Sequence, residues 1–259
     1  EPSSTLYEEI SDVRTVEVAH DFRIGYTMLN LKLAGEAAPI IAFGGFNSDL
    51  TTPSRGWEGF QLARLGRPVL MLDMPGHGLS SPHSRQQIID LTFRRDSTSQ
   101  ALPMIDAIQK LLDPLEPADV WGLSHGAELG LRATELDPHD RIHTTFALDL
   151  PAVKRQSTIG LQIGYLLKDN VMGRKKYLES LEGTDVEQDF TQFEVDFNNL
   201  GVDRAPGFAR NNTGLFLLNL VASVNARPVS LQSWAKIMNE KSARITAVTS
   251  AEGHVSDPE

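Results

Sequence analysis

Short strand-forming runs alternate along the chain with stretches whose apolar residues recur at helical spacing. The runs are PIIAF (39–43), PVLMLDM (68–74), ADVWGL (118–123) and IHTTFALDL (142–150). PIIAF and PVLMLDM read as buried strands, and ADVWGL and IHTTFALDL as further strands of the same sheet. Between the runs, residues 57–66 read as a helix. Residues 98–113 carry Leu102, Ile105, Ile108 and Leu112 at helical spacing, and residues 126–136 continue as helix formers. Upstream, VRTVEVAH and IGYTMLNLKL within 13–33 alternate well enough for two antiparallel strands. Strands that alternate with helices imply β-α-β units with right-handed crossovers and a mostly parallel sheet covered on both faces. Ligands in such sheets bind beyond the carboxyl ends of the strands. Gly44-Gly45, Ser124 and Asp149 all fall at such ends.

The rhythm breaks at residues 152–213. This stretch holds amphipathic pieces (Ile159, Ile163, Leu166, Leu167) and an acidic, aromatic segment with Phe190, Phe193 and Phe197. It reads as a helical cap inserted over the rim, with Phe193 and Phe197 as candidate substrate-binding residues. The expected organisation is therefore a first core part at 1–151, the cap at 152–213 and a second core part at 214–259.

Composition narrows the function classes. The 259 residues suit one large α/β domain, and 41% hydrophobic content supplies a sizeable core. The greasiest stretch, GLFLLNLVASV (214–224), is shorter than the ~18 apolar residues of a membrane span. A net charge of −10 argues against nucleic acid as a partner. Arg174-Lys175-Lys176 sits beside a long acidic stretch and reads as a solvated face. The absence of cysteine excludes disulfides, thiol catalysis and cysteine metal sites. No apolar signal core follows the Glu-Pro-Ser-Ser start; a soluble protein is expected, in a compartment the sequence does not fix, with the cytoplasm slightly favoured. Asn211-Asn212-Thr213 forms a glycosylation sequon of a kind common by chance. Oligomeric state is not legible.

Gly122-Leu123-Ser124-His125-Gly126 stands where a strand gives way to a helix. Small residues two before and two after the serine let strand and helix pass close together and force the serine outward. The helix N-terminus then directs positive charge at a developing oxyanion. An ordinary tight turn is the blander alternative. His139 and His143 are four apart but flank a loop and a strand start, which makes a poor metal site.

Taken together, IIAFGGF, LDMPGHGLS (72–80) and GLSHG, in this order, resemble the α/β-hydrolase fold superfamily of serine esterases and lipases. The resemblance covers residues 39–150 and implies a nucleophile at Ser124. It also implies an oxyanion hole from the backbone N–H groups of Phe46 and His125. Where relatives often have His-Gly, this chain has Gly44-Gly45, which removes a side chain and no backbone donor. His77 falls in the fingerprint loop as a structural residue, not a base.

In this fold the histidine comes last in the chain, and His254 follows the strand-like ARITAVTS. In one register, LFLLNLVASVNARPVS (215–230) is the penultimate strand and Asn225 takes the usual acid position. Asp149, just past the strand after the elbow, then resembles the acid of a minority of these hydrolases. In the other register, the segment around ARITAV is itself penultimate, Gly253 stands at the acid position, and the last strand and the histidine are missing.

The first register gives the expected triad Ser124–Asp149–His254, acting on a small-molecule acyl substrate with no metal or organic cofactor. A serine nucleophile argues against the dehalogenases and epoxide hydrolases of this fold. The rival expectation is a non-catalytic binding protein on the same fold, or a C-terminally truncated, inactive hydrolase.

Overall fold

The apolar runs do form strands, and they lie side by side in one sheet. The computed structural model describes residues 4–18, 22–45, 49–75, 77–80, 98–113, 115–148, 185–200 and 231–248. In chain order the elements are α1 (Ser4–Ser11), β1 (Arg14–Val18), β2 (Phe22–Leu29), β3 (Ile40–Phe43), α2 (Pro53–Ala63) and β4 (Val69–Leu72). They continue with α3 (Thr98–Leu111), β5 (Ala118–Leu123), α4 (His125–Leu136), β6 (Ile142–Leu148), α5 (Asp185–Asn199), α6 (Leu231–Glu240) and β7 (Arg244–Val248). Helix α2 starts earlier than its apolar pattern because Pro53 is placed at its first turn, where a missing N–H costs nothing.

Among the described residues the seven strands are ordered β1-β2-β4-β3-β5-β6-β7. β1 and β2 are antiparallel to each other, and β2 is antiparallel to β4. From β4 to β7 every pairing is parallel. All four residues of β3 and of β4 are buried, which is why their sequence shows no alternation. Helices α3 and α4 cover one face: Met104, Ile105, Ile108, Leu129 and Ala133 pack with Ile41, Phe43 and Val120. α1, α2 and α5 cover the other, where Trp57, Phe60, Phe190, Phe193 and Phe197 meet Ile40, Ala42 and Met71. The chain thus leaves β3 and β5 toward opposite faces, and the crevice opens between their carboxyl ends.

Two expectations change here. β6 and β7 pair directly, from Thr144↔Arg244 to Leu148↔Val248. This direct pairing is the arrangement of the register in which the segment around ARITAV is itself penultimate. Residues 215–230 themselves lie outside the described residues.

The second change concerns Phe193 and Phe197. They were expected to face substrate, yet they are 1% and 2% exposed in the packing between α5 and α2. Phe193 stacks with Tyr7 at 5.7 Å and meets Trp57 edge-on at 5.2 Å. Phe197 lies directly on the α2 backbone, since a Cβ at Gly56 would come within 2.6 Å of its ring. The aromatic spacing that suggested an acyl-binding lid is the spacing of a core face. Among residues 152–213, only 185–200 are described.

Candidate active site

Ser124 joins β5 to α4 with φ 54° and ψ −119°. Unlike Asn30, at φ 56° and ψ 38°, it does not sit in the left-handed helical well. A side chain in its conformation costs about 1–3 kcal/mol and persists only where the surroundings over-determine it. The surroundings do so. The Ser124 N–H donates to Leu148 O at 2.8 Å, and the Ala127 N–H donates to Ser124 O at 3.0 Å. A Cβ at Gly122 would come within 2.5 Å of Gly126 O and 2.6 Å of Ala127 Cα. One at Gly126 would come within 2.3 Å of Gly44 O and 2.5 Å of Phe43 O. These neighbours are backbone and cannot rotate away, so both glycines are required by space. Ser124 is left half-buried at the sheet rim.

The Gly44-Gly45 turn lies against this elbow. A Cβ on Gly45 would stand 3.6 Å from Leu123 O and 3.9 Å from Ser124 Cβ. Its neighbour Phe46, the expected second oxyanion donor, lies outside the described residues. His125, the other expected donor, opens α4. Its ring Nε2–H donates to Gln100 Oε1 on α3 at 2.7 Å, and Nδ1 is 3.7 Å from the Glu128 carboxylate. Nothing in the sequence singled out Gln100, because its partner is set by how α3 packs on α4.

Asp149 and His254 lie outside the described residues, as do Glu252 and Asp257. The described chain stops at Leu148, beside the elbow, and at Val248, Leu148's register partner on β7. The carboxyl ends of β5, β6 and β7 therefore share one rim.

In the fingerprint loop Asp73, His77 and Ser80 are buried, while Leu79 is exposed. His77 is 5% exposed, and its Nδ1–H donates to Pro75 O at 3.2 Å. Burial pushes its imidazole down to about 4, and the charge of nearby His125 pushes the same way. His77 is thus neutral near pH 7 and packed as a structural residue. Asp73 is 1% exposed and is pushed up to about 7 by burial, with Asp49 adding to the rise. Hydrogen bonds from the Leu50 and Leu79 amides and the charge of Arg55 oppose that rise. Arg55 pairs with Glu58 and donates to Ala42 O at 2.6 Å, while Trp121 Nε1–H donates to Glu58 Oε1 at 2.7 Å. Among the described residues, no group of three or more His, Asp or Glu is placed to hold a metal ion. None of the described helices is long and apolar enough to cross a membrane.

The family model for the alpha/beta hydrolase fold matches residues 39–160, which span the sheet centre and the elbow. The chain has the α/β-hydrolase fold. Solved structures with this fold are similar over nearly the whole chain. A hydrolase from Pseudomonas aeruginosa PA01 is 15% identical, with TM-score 0.52 and coverage of 92% of this chain and 90% of that one. A deformylase of N-formylmaleamic acid from Pseudomonas putida S16 is 14% identical, with TM-score 0.54 and coverage of 91% and 92%. An alpha/beta hydrolase fold protein from Chitinophaga pinensis is 14% identical, with TM-score 0.54 and coverage of 92% and 90%. No curated protein matches the chain. For this α/β-hydrolase-fold protein the likeness establishes architecture, and chemistry has to be argued from its own residues.

Proposed function

We propose that the protein is a serine hydrolase that cleaves a carboxylic ester or related acyl bond through an acyl-enzyme on Ser124. The observation that carries this reading is the strained backbone of Ser124, held between two glycines that no larger residue can replace. In the scheme Ser124 Oγ attacks the substrate carbonyl carbon while His254 takes its proton. The tetrahedral oxyanion is met by the N–H groups of Phe46 and His125. The intermediate then expels the leaving group, which receives the proton from His254. Water adds to the acyl-enzyme in the same way and frees Ser124. Asp149 holds the imidazole in the required tautomer and stabilises its charged form. The scheme uses no metal or organic cofactor.

A second reading has one observation in its favour. β7 pairs directly with β6, which is the arrangement of the other register. There the loop beyond β7 is the acid segment, His254 is not the base, and the site binds acyl ligands without turning them over.

A fluorophosphonate probe separates the two. The first reading expects labelling of the native protein and hydrolysis of short p-nitrophenyl esters. Both should vanish in Ser124→Ala, with little change in unfolding free energy. An unlabelled native protein, or undiminished turnover in the variant, refutes the hydrolase.

A further inference from the structure

The loop from β3 to α2 lies against the elbow at one end, through Gly44 and Gly45, and enters α2 at the other. Near that second end, the Leu50 N–H donates to Asp73 Oδ1 at 2.8 Å. The other carboxylate oxygen accepts from the Leu79 N–H, in the loop after β4, at 3.0 Å. Asp73 is also locked to β2. Its N–H donates to Gly25 O at 2.8 Å, and its carbonyl accepts from Ser80 Oγ at 2.8 Å. Ser80 Oγ in turn accepts from the Gly25 N–H at 2.8 Å. The carboxylate fills the space a side chain would take at Gly78, whose Cβ would fall 2.1 Å from Oδ2.

We propose that Asp73 is a positioning residue, whose two oxygens tie the loop after β3 to the loop after β4 and so hold the Gly44-Gly45 turn against Ser124. The catalytic consequence rests on reading Ser124 as the nucleophile; the hold on the loop does not.

An ionised carboxylate accepts at both oxygens, whereas the protonated form turns one of them into a donor and gives up one of the two loops. The charges around Asp73 set how readily that happens. Asp49 faces it as a second buried acid, and Arg55, itself paired with Glu58, faces it as the counter-charge. Burial and Asp49 together push its carboxyl up to about 7, so exchange over the loop should change with pH near neutrality.

The test is Asp73→Asn, which keeps the shape and loses one acceptor. Amide hydrogen exchange over residues 44–52 should quicken, and kcat should fall roughly tenfold, or ~1.4 kcal/mol of barrier, with KM little changed. Asp49→Asn keeps an acceptor for Thr51 and removes the neighbouring charge, so the pH dependence of exchange over the loop should shift to lower pH. A folded Asp73→Asn protein with unchanged exchange over this loop overturns the proposal. So does an Asp49→Asn protein whose exchange keeps the native pH dependence. If the native protein resists the fluorophosphonate probe but loop exchange responds as described, the hydrolase reading fails and the hold by Asp73 stands.

Discussion

The Ser124 amide donates to the Leu148 carbonyl at 2.8 Å, so β5 and β6 remain bonded through the first residue of the elbow. Asp149 is the next residue after Leu148. Chain geometry allows consecutive Cα atoms no more than about 3.8 Å across a trans peptide, which is the physical basis for proposing Asp149 as the acid beside Ser124. Asp149→Asn should then lower kcat by about 10⁴ with KM little changed, as loss of the acid does in a serine protease triad. Glu252→Gln and Asp257→Asn should each cost less than about tenfold. Steady-state kinetics on one ester decide it. A large loss in Glu252→Gln with a small one in Asp149→Asn would move the acid to the loop after β7.

The α5 aromatics should behave as core. Phe193→Ala and Phe197→Ala should each lower unfolding free energy by about 3–5 kcal/mol, the usual cost of deleting a buried phenyl ring. Turnover per folded molecule should be preserved. Urea unfolding and ester kinetics on the same preparations check this. Intact stability with an altered chain-length preference would return these rings to the substrate.

Gly126→Ala tests whether space or mere flexibility selects the glycine. The new methyl meets backbone oxygens of Phe43 and Gly44, which cannot rotate aside. The cost should reach the upper end of the ~1–3 kcal/mol seen for overpacking, measured by chemical denaturation. A variant as stable as the parent would show that α4 can slide off β3 freely.

Asp73 and His77 give opposing pH dependences of stability. Asp73 is raised from 3.8 to about 7 in the fold. Its contribution is therefore fully present below about 3.8 and lost as pH rises through about 7. His77 is lowered from 6.5 to about 4, so its contribution is present above about 6.5 and lost as pH falls through about 4. Between those limits the two slopes oppose, each at most about 1.4 kcal/mol per pH unit. Removing Asp73 with Asn should expose the histidine, and stability should climb with pH more steeply than in the parent. Parallel stability–pH curves for variant and parent would show that Asp73 does not titrate there.

What the sequence made legible follows from how local each signal is. β3 and β4 were readable because full burial erases alternation within a few residues, and β5 and β6, buried at alternate positions, still carry strand-forming runs. The elbow was readable because its constraint is also local, two small residues flanking one serine. Helix α1 was missed: of the residues in its short span, Leu6 and Ile10 are buried, too few for a periodic pattern. The register of β7 was ambiguous because ARITAV is equally apolar in either place, and its pairing with β6 comes from residues distant in the chain. The α5 phenylalanines were visible as residues but not as partners, since their neighbours Tyr7, Trp57 and Phe60 come from distant parts of the chain.

The conformation of Ser124 also bears on what a stability-driven redesign would do to this protein. Glycine tolerates its backbone angles without a penalty, whereas serine carries about 1–3 kcal/mol of strain there. A procedure that ranks residues by folding free energy alone would therefore write glycine at this position and raise the melting temperature. It would erase the hydroxyl in the same stroke. The elbow is thus a place where thermostability and reactivity ask for different amino acids, and engineering that leaves position 124 out of the search keeps both.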